Sequence, residues 1–563
     1  MLTILSLPLL AAACLIVFVS NRPTAGVLQE RECGMHRIIC LAVFALGCVL
    51  RIAALSSLPS GLSPEEALVG VQAKAFWQTG GFYPNGVLTT VLPQWTGETT
   101  GPLLAVLTAP FAGFFGLSPL TVRLPLVILS IAAMPAAYAL GCALSGKSAG
   151  RFMLCIYALC PYFVLGARMT CGANAALFTL PIAAALLAAG LKKPALLYAG
   201  MAALALAAYS QTMMLVVAPV AVIGAAVVAL IFGKSRLHAL LSAALGLVLC
   251  VPAILTVYVN VNGLEGFMLF GLAEIPYRGV FADNLITRLA AESYVSDGVL
   301  TALIKLWCTI VGGIFQAVWV DNIDSALFMP DGMLALTVVS LPLILLGAGT
   351  LALRRIDGER VKPEQAGERA LMVVLFVITL VVVMLFGDEA SYNIGGAPDV
   401  FDHANLFFFA ALLMTVGWRQ MQRRSALGAR LLAGLMAVCV VWLGAHLFGG
   451  AYQANATTYF DGFADACAHA KAIQNETGAQ VNVTTTIYPH VEPDAAAKVM
   501  YLFATDADLR SEQNFTDMYA PGLEWVDDTQ IYVVHANDVT SWDWGDMNYE
   551  EFGDYAVISP YTE

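Results

Sequence analysis

The stretch QTMMLVVAPVAVIGAAVVALIFG, from Gln211 to Gly233, carries no charge and stops at Lys234. As an α-helix rising about 1.5 Å per residue, a run of this length crosses the ~30 Å hydrocarbon core of a bilayer. The pattern recurs along the chain. Apolar runs lie near 3–19, 37–56, 123–145, 150–166, 173–191, 194–209, 211–233, 236–258, 331–353, 370–387, 402–418 and 428–450, twelve expected spans in all. The composition agrees, with 59% hydrophobic residues, 12% charged residues and a mean hydropathy of +0.76. Continuous apolar runs, rather than short alternating segments, argue against an outer-membrane barrel. The first run, Leu2 to Val19, lacks a basic flank and a small-x-small cleavage site before Asn21-Arg22, so it reads as a retained span.

Basic residues set the expected orientation. Alternate connections carry Arg22, Arg31 and Arg37; Lys147 and Arg151; Lys192 and Lys193; Lys234 and Arg236; Arg354, Arg355, Arg360, Lys362 and Arg369; and Arg419, Arg423, Arg424 and Arg430. These are 18 of the 28 Lys and Arg residues, and their side is assigned to the cytoplasm. The segments 57–122, 167–172, 259–330, 388–401 and the tail from about 451 then lie outside. The protein is expected in the plasma (inner) membrane as a multi-pass protein with an extracytoplasmic tail. That tail is acidic and contributes much of the net charge of −12, which argues against a nucleic-acid partner. The twelve cysteines are scattered, mostly inside apolar runs, and form no CxxC or Cys/His spacing, so neither a disulfide framework nor a structural zinc site is expected.

Two outer loops, 57–122 and 259–330, are too long for simple connectors and suggest an active surface. Within the first, the Pro-bounded run from Pro102 to Phe115 is too short to cross and reads as interfacial; segment 300–320 reads the same way. After about 451 the composition turns soluble. Phe460 to Gln474 and Ala495 to Leu502 read as helices, and Gln480 to Val483 and Gln530 to Val534 as strands, enough for one small α/β domain. The expected fold class is therefore an all-α polytopic membrane protein of about twelve transmembrane helices with interfacial outer-loop helices, plus a small C-terminal soluble α/β domain. The expected boundaries are 1–450 and 451–563.

Two adjacent carboxylates stand just past the outer end of the second span, in Leu62-Ser63-Pro64-Glu65-Glu66-Ala67. One reading is a helix start, with Ser63 as cap, Pro64 in the first helical position and both acids complementing the helix dipole. The other is the chemical centre of a membrane enzyme, and the two are compatible because a helix start can hold a catalytic carboxylate rigidly. Arg51, Arg123 and Arg168 break the one-sided distribution of basic residues. Each could snorkel to the headgroups, or together they could form an anion site beside the carboxylates.

The segment Gly61-Leu62-Ser63-Pro64-Glu65-Glu66-Ala67 resembles the first-outer-loop signature of GT-C glycosyltransferases, in particular the bacterial family 39 branch related to protein O-mannosyltransferases and the aminoarabinose transferase. The resemblance continues through Gly97-Glu98-Thr99-Thr100-Gly101-Pro102-Leu103, Ala109-Pro110-Phe111, Phe115-Gly116-Leu117 and Val122-Arg123-Leu124-Pro125. It takes in Ala167-Arg168 with Asn174, and Tyr209 with Pro219, covering about residues 45–225. Departures stand beside it. Both members of the acidic pair are Glu where the family usually begins with Asp. Gly172 takes a position that often carries Glu, a basic residue is replaced near Thr100, and Asp402-His403-Ala404-Asn405 has His where the similar element has Arg.

The resemblance implies sugar transfer from a polyprenyl-phosphate donor to an acceptor hydroxyl of a protein, lipid or wall polymer on the outer face. It assigns Glu65 as the base and Glu66 as partner of the acceptor or of a loop arginine. Arg123, Arg168, His403 and Arg278 would neutralise donor phosphate charge. Glu98, Thr100, Asn174, Tyr209 and Asn405 would line the substrate groove. No protein-bound cofactor is called for, and no ligand cluster demands a metal, although a divalent ion stays open. Trp542-Asp543-Trp544-Gly545-Asp546 has the residue types of an oligosaccharyltransferase motif in a different order and is read as tail core or surface. The non-enzymatic alternatives are a secondary transporter, against which stand the plain Ala/Leu/Val span centres and the absence of similar halves, and another polytopic membrane protein without transferase activity.

Overall fold

The computed structural model describes residues 2–20, 34–59, 61–93, 99–279, 336–337, 339–352, 365–386, 400–449, 460, 462–484, 493–506, 514–516, 526–539 and 543–560. Each of the twelve expected spans falls on a helix. The first two are α1 (Leu2–Ser20) and α2 (Gly34–Ile52). Loop one then contributes α3 (Pro64–Thr79) and α4 (Leu103–Phe115), the second being the expected short interfacial helix. Next come α5 (Pro119–Ser145), α6 (Lys147–Leu159), α7 (Pro161–Leu165), α8 (Gly172–Gly190), α9 (Ala195–Leu206), α10 (Met214–Phe232) and α11 (Arg236–Val261). The membrane part closes with α12 (Ser340–Ala352), α13 (Ala366–Phe386), α14 (Val400–Arg424) and α15 (Ala426–Phe448).

Among the described residues, seven helices are long and apolar enough to cross a membrane, and eight if the α6–α7 pair is one span. The expected count of twelve is thus larger than strict length and composition give, because the apolar stretches of α1 (counted from Pro8), α9 and α12 are short and α14 carries a polar end. The α6–α7 pair is bent by 59°. Pro161 causes the break, since it lacks an N–H and its ring clashes with the preceding turn. Elsewhere close backbone approach tightens the bundle: a Cβ on Gly347 of α12 would lie 1.9 Å from the Leu413 carbonyl oxygen, and one on Gly417 of α14 would lie 2.1 Å from that of Leu343. Small residues of this kind are how apolar helices pack where lipid removes the hydrophobic drive.

Short strands tie the outer loops together. Strand β1 (Leu88–Thr89) pairs in parallel with β5 (Ala273–Ile275), which forms a hairpin with β4 (Phe267–Leu269). Strand β2 (Leu92–Pro93) pairs with β3 (Thr99–Thr100). The segment 300–320 lies outside the described residues.

The C-terminal region has helices α16 (Phe463–Thr477), α17 (Pro493–Thr505) and α18 (Ala536–Val539). Its strands are β6 (Val481–Thr484), β7 (Asn514–Thr516), β8 (Ile531–His535), β9 (Asn548–Phe552) and β10 (Tyr555–Ser559). The four elements expected from sequence are all present. The five-stranded sheet runs β7-β6-β8-β10-β9, parallel between β7, β6 and β8 and antiparallel beyond. The β9–β10 hairpin was not foreseen, because Asn548-Tyr549-Glu550-Glu551-Phe552 is largely polar and pairs at an exposed edge. Trp544 belongs to the small core on this side, its ring 5.5 Å from Tyr532 and its Nε1–H donating to the Val539 carbonyl.

Candidate active site

The helix start at Ser63 forms as a capping box. The Ser63 hydroxyl accepts from the Glu66 N–H (3.2 Å), and the Glu66 carboxylate accepts from the Ser63 N–H (3.3 Å), with Pro64 in the first turn. This accounts for Glu66 only in part. Its carboxylate is fully buried and meets Arg123 side-on, Nε to Oε1 and Nη2 to Oε2, both at 2.9 Å. Oε1 also accepts the Thr170 N–H at 3.1 Å. Two parallel charge-assisted bonds are the strongest form such a pair takes, and in a desolvated site they fix both side chains.

Arg123 and Arg168 are committed to the protein itself. The remaining donors of Arg123 reach the carbonyls of Leu55, Pro59 and Gly61. Arg168 donates to the carbonyls of Leu50, Arg51, Ala53, Ala54 and Leu58. Both are fully buried. Where a donor-phosphate role was expected, the structure sets both against carbonyls where α2 ends and the chain turns toward α3. Arg51 does the same for the α6–α7 break, donating to the carbonyls of Tyr157, Ala158 and Phe163 and to Ser130. All three arginines are buried against protein carbonyls, and Arg123 against Glu66 as well. They brace the loop that carries the acidic pair.

Glu65 differs from its neighbour. It is half-buried, and its Oε1 accepts the N–H of Gly172, the first residue of α8, at 3.2 Å. Met169 and Cys171 are extended (φ −121° and −136°), so the N–H groups of Thr170 and Gly172 point to one side and reach Glu66 and Glu65 respectively. Glu65 thus lies at the N-termini of two helices, its own and α8, where partial positive charge favours a carboxylate. Burial pushes the Cys171 thiol well above its usual range, and the nearby Glu65 charge adds to that, keeping the thiol neutral.

Gly172, which stands where the similar family often has Glu, has no room for a side chain. A Cβ there would lie 2.3 Å from the Ser210 carbonyl oxygen and 2.9 Å from the Thr100 hydroxyl. Thr100 is thereby placed next to the Glu65 anchor, and its backbone bridges to Gln211. A Cβ on Gly101 would meet the Tyr209 carbonyl oxygen at 2.1 Å, so loop one lies directly on the 209–211 turn. The Tyr209 hydroxyl itself turns to α11 and donates to the Leu249 carbonyl (2.6 Å). Asn174 is buried and holds the 169–171 connection, donating to the Met169 carbonyl (3.2 Å) and accepting from Tyr162.

The remaining expected residues lie further away. Arg278 is half-buried just after β5, its backbone N–H donating to Asn260 (2.9 Å) while Nε has no hydrogen-bond partner among the described residues. It is linked to loop one through the β1–β5 pair and through the hydroxyl contact of Thr90 with Thr256 (2.5 Å). Asn405 is fully buried on α14, with Nδ2 3.8 Å from the Met214 sulfur and Oδ1 unpartnered among the described residues. His403 falls on α14, but its side chain lies outside the described residues, as does Glu98. Sequence reasoning missed the backbone donors of Thr170 and Gly172, for which no residue type is a signal. The bracing role of Arg51 was legible in principle from Cys160-Pro161, which announces open carbonyls nearby.

Fold and site together define a polytopic α-helical membrane protein with a carboxylate–guanidinium centre at one end of its bundle. Among solved structures the chain is similar to ArnT from Cupriavidus metallidurans bound to undecaprenyl phosphate, at 11% identity and a TM-score of 0.48, over 93% of this chain and 97% of that one. It is also similar to the Archaeoglobus fulgidus oligosaccharyltransferase AglB in complex with an inhibitory peptide and a dolichol-phosphate, at 12% identity and a TM-score of 0.44, over 82% of this chain. The chain spans 64% of the length of that AglB chain. No family model matches the chain, and no curated protein matches it in sequence. Overlap at this level is one of general layout, and the functional reading rests on the site.

Proposed function

We propose that this protein is a membrane glycosyltransferase that moves a sugar from a polyprenyl-phosphate donor to an acceptor hydroxyl at the Glu65 end of the bundle. The observation that carries the reading is the division of labour within the pair. Glu66 is neutralised by Arg123 and sealed from solvent, whereas Glu65 is half-buried and accepts the Gly172 N–H. That makes Glu65 the oriented and partly accessible carboxylate of the pair, and the one assigned to take a proton. The loop-one motifs that resemble those of GT-C enzymes give the same assignment independently of the geometry.

In the proposed reaction the acceptor oxygen attacks the anomeric carbon from the face opposite the phosphate. The C1–O bond to the polyprenyl phosphate breaks with its electron pair, and Glu65 takes the acceptor proton, so the configuration inverts. Thr100, beside the anchor of Glu65, is positioned to contact the substrate. Arg278, whose Nε has no hydrogen-bond partner among the described residues, is the cation assigned to the departing phosphate, alongside His403. Arg123, Arg168 and Asn174 act as positioning residues for the loops. The distribution of basic residues puts this end outside the plasma membrane, with the C-terminal region on the same side. The acceptor is a hydroxyl of a protein, lipid or wall polymer.

The test is transfer of radiolabelled sugar from a polyprenyl-phosphate donor into membranes or purified acceptor. Glu65→Gln is expected to abolish transfer while the protein accumulates normally. Unchanged transfer would remove Glu65 as the base.

A further inference from the structure

Helix α5 begins beside the Glu66–Arg123 pair and ends at Ser145, and the 22 residues from Arg123 to Leu144 cover about 30 Å of helix. That distance is the thickness of a bilayer's hydrocarbon core, so the end of α5 faces the opposite leaflet. A cavity of about 110 Å³ lies there, between α5, α12, α13 and α14. Its walls include Leu144, Met372, Phe376, Phe409, Leu413 and Val416, and are almost wholly apolar. The helices cannot slide to fill it, because α12 and α14 are already in backbone contact at Gly347 and Gly417.

One charged residue, Arg369 near the start of α13, lines this cavity. Its donors are poorly satisfied. Nη2 reaches the Leu144 carbonyl and the Gln365 side chain only at 3.3 and 3.4 Å, and Nη1 is buried without a hydrogen-bond partner among the described residues. The adjacent Glu368 is in ion-pair contact with Lys192 at 2.6 Å. A buried donor left open costs about 1–3 kcal/mol, more when charged, so the guanidinium calls for an anion with several acceptor oxygens. The cavity beside it calls for a hydrocarbon chain.

We propose that Arg369 and this cavity form a binding site for an anionic glycerophospholipid of the leaflet opposite Glu65, with the phosphate on the guanidinium and one acyl chain between α5, α13 and α14. An uncharged chain would leave Nη1 open, and a soluble anion would leave the apolar walls open. A phospholipid supplies both. The site is about a membrane thickness from the acidic pair and stands whether or not the transferase reading holds.

The test uses the purified full-length protein in detergent, with lipid retention read by native mass spectrometry and thermal unfolding followed in parallel. Phosphatidylglycerol is expected to be retained at least ten-fold better than phosphatidylcholine and to raise the unfolding temperature. Arg369→Gln should lose that preference, and Met372→Trp, which fills the cavity and keeps the charge, should lose retention of both lipids. Arg369→Lys should keep part of the preference, which separates charge from fold. Equal retention of the two lipids by the wild type, an unaltered preference in Arg369→Gln, or equal stabilisation by inorganic phosphate alone would each overturn the proposal.

Discussion

Arg51 and Arg168 each satisfy the chain segment that carries the other. Arg168 donates to the carbonyl of Arg51 itself (3.2 Å) and to that of Leu50 (2.8 Å), at the end of α2. Arg51 donates to the carbonyls of Tyr157, Ala158 and Phe163, in the broken helix that leads to Arg168. The two side chains therefore lock α2 to the α6–α7 break, and the loop bearing Glu65 starts from that lock.

Arg168→Ala should strip a donor from five carbonyls, those of Leu50, Arg51 and Leu58 buried and those of Ala53 and Ala54 part-buried, and a buried one left unmade costs about 1–3 kcal/mol. The expected outcome is protein that fails to accumulate or unfolds many degrees lower, measured by thermal size-exclusion in detergent. Arg168→Lys should recover only part, because an ammonium cannot reproduce the planar fork. A wild-type profile for Arg168→Ala would refute the bracing role.

The two neighbouring glutamates should separate cleanly. Glu66→Ala leaves the Arg123 guanidinium buried without its carboxylate and should cost about 3–5 kcal/mol of stability. Glu65→Gln keeps the shape and can still accept the Gly172 N–H, so its unfolding temperature should change little while transfer is lost. Comparing melting curves with transfer rates for both variants tests the division. If Glu65→Gln were the less stable of the two, the roles would have to be exchanged.

At Gly172 even one carbon is too many, given the Ser210 carbonyl oxygen at 2.3 Å. Gly172→Ala should cost about 1–3 kcal/mol through overpacking and should shift the N–H that holds Glu65. Reduced stability together with a transfer defect larger than that of a distant destabilising variant is the expected result. Full activity would show that the Gly172 N–H contact is dispensable.

The C-terminal region grips the helix that carries the acidic pair. The Phe503 ring of α17 occupies the place where a Cβ on Gly70 of α3 would sit (2.6 Å), and Lys74 pairs with Asp506 at 2.6 Å. Asp506 is 61% exposed, so Asp506→Ala should cost less than about 1 kcal/mol. Phe503→Ala removes a buried ring and should cost about 3–5 kcal/mol in the packing of α17 on α3. Hydrogen exchange in residues 493–506 is the readout, with strong acceleration for Phe503→Ala and none for Asp506→Ala.

Much of this molecule is legible along the chain. Apolar runs such as Gln211 to Gly233 announce helices because a bilayer forces every backbone group to be satisfied within the segment. Ser63-Pro64-Glu65-Glu66 announces a capped helix start because the cap is a local exchange of hydrogen bonds over three residues. The short continuous run Ile531-Tyr532-Val533-Val534, all β-branched or aromatic, likewise marks a strand.

Tertiary structure alone decided what the charged residues do. Arg123 and Arg168 are the same residue type at similar depth in the sequence pattern, and either could have faced a phosphate. Their burial against Glu66 and open carbonyls depends on where α2 stops, where α7 breaks and how α5 passes between them, none of which is a local property. Glu65 and Glu66 are adjacent in sequence, yet about 100° apart around a helix axis. That rotation sends one inward to Arg123 and the other to the N-terminus of α8. The amino-acid order settled that two carboxylates begin this helix; only the packing of α8 and α5 around it separated the sealed one from the exposed one.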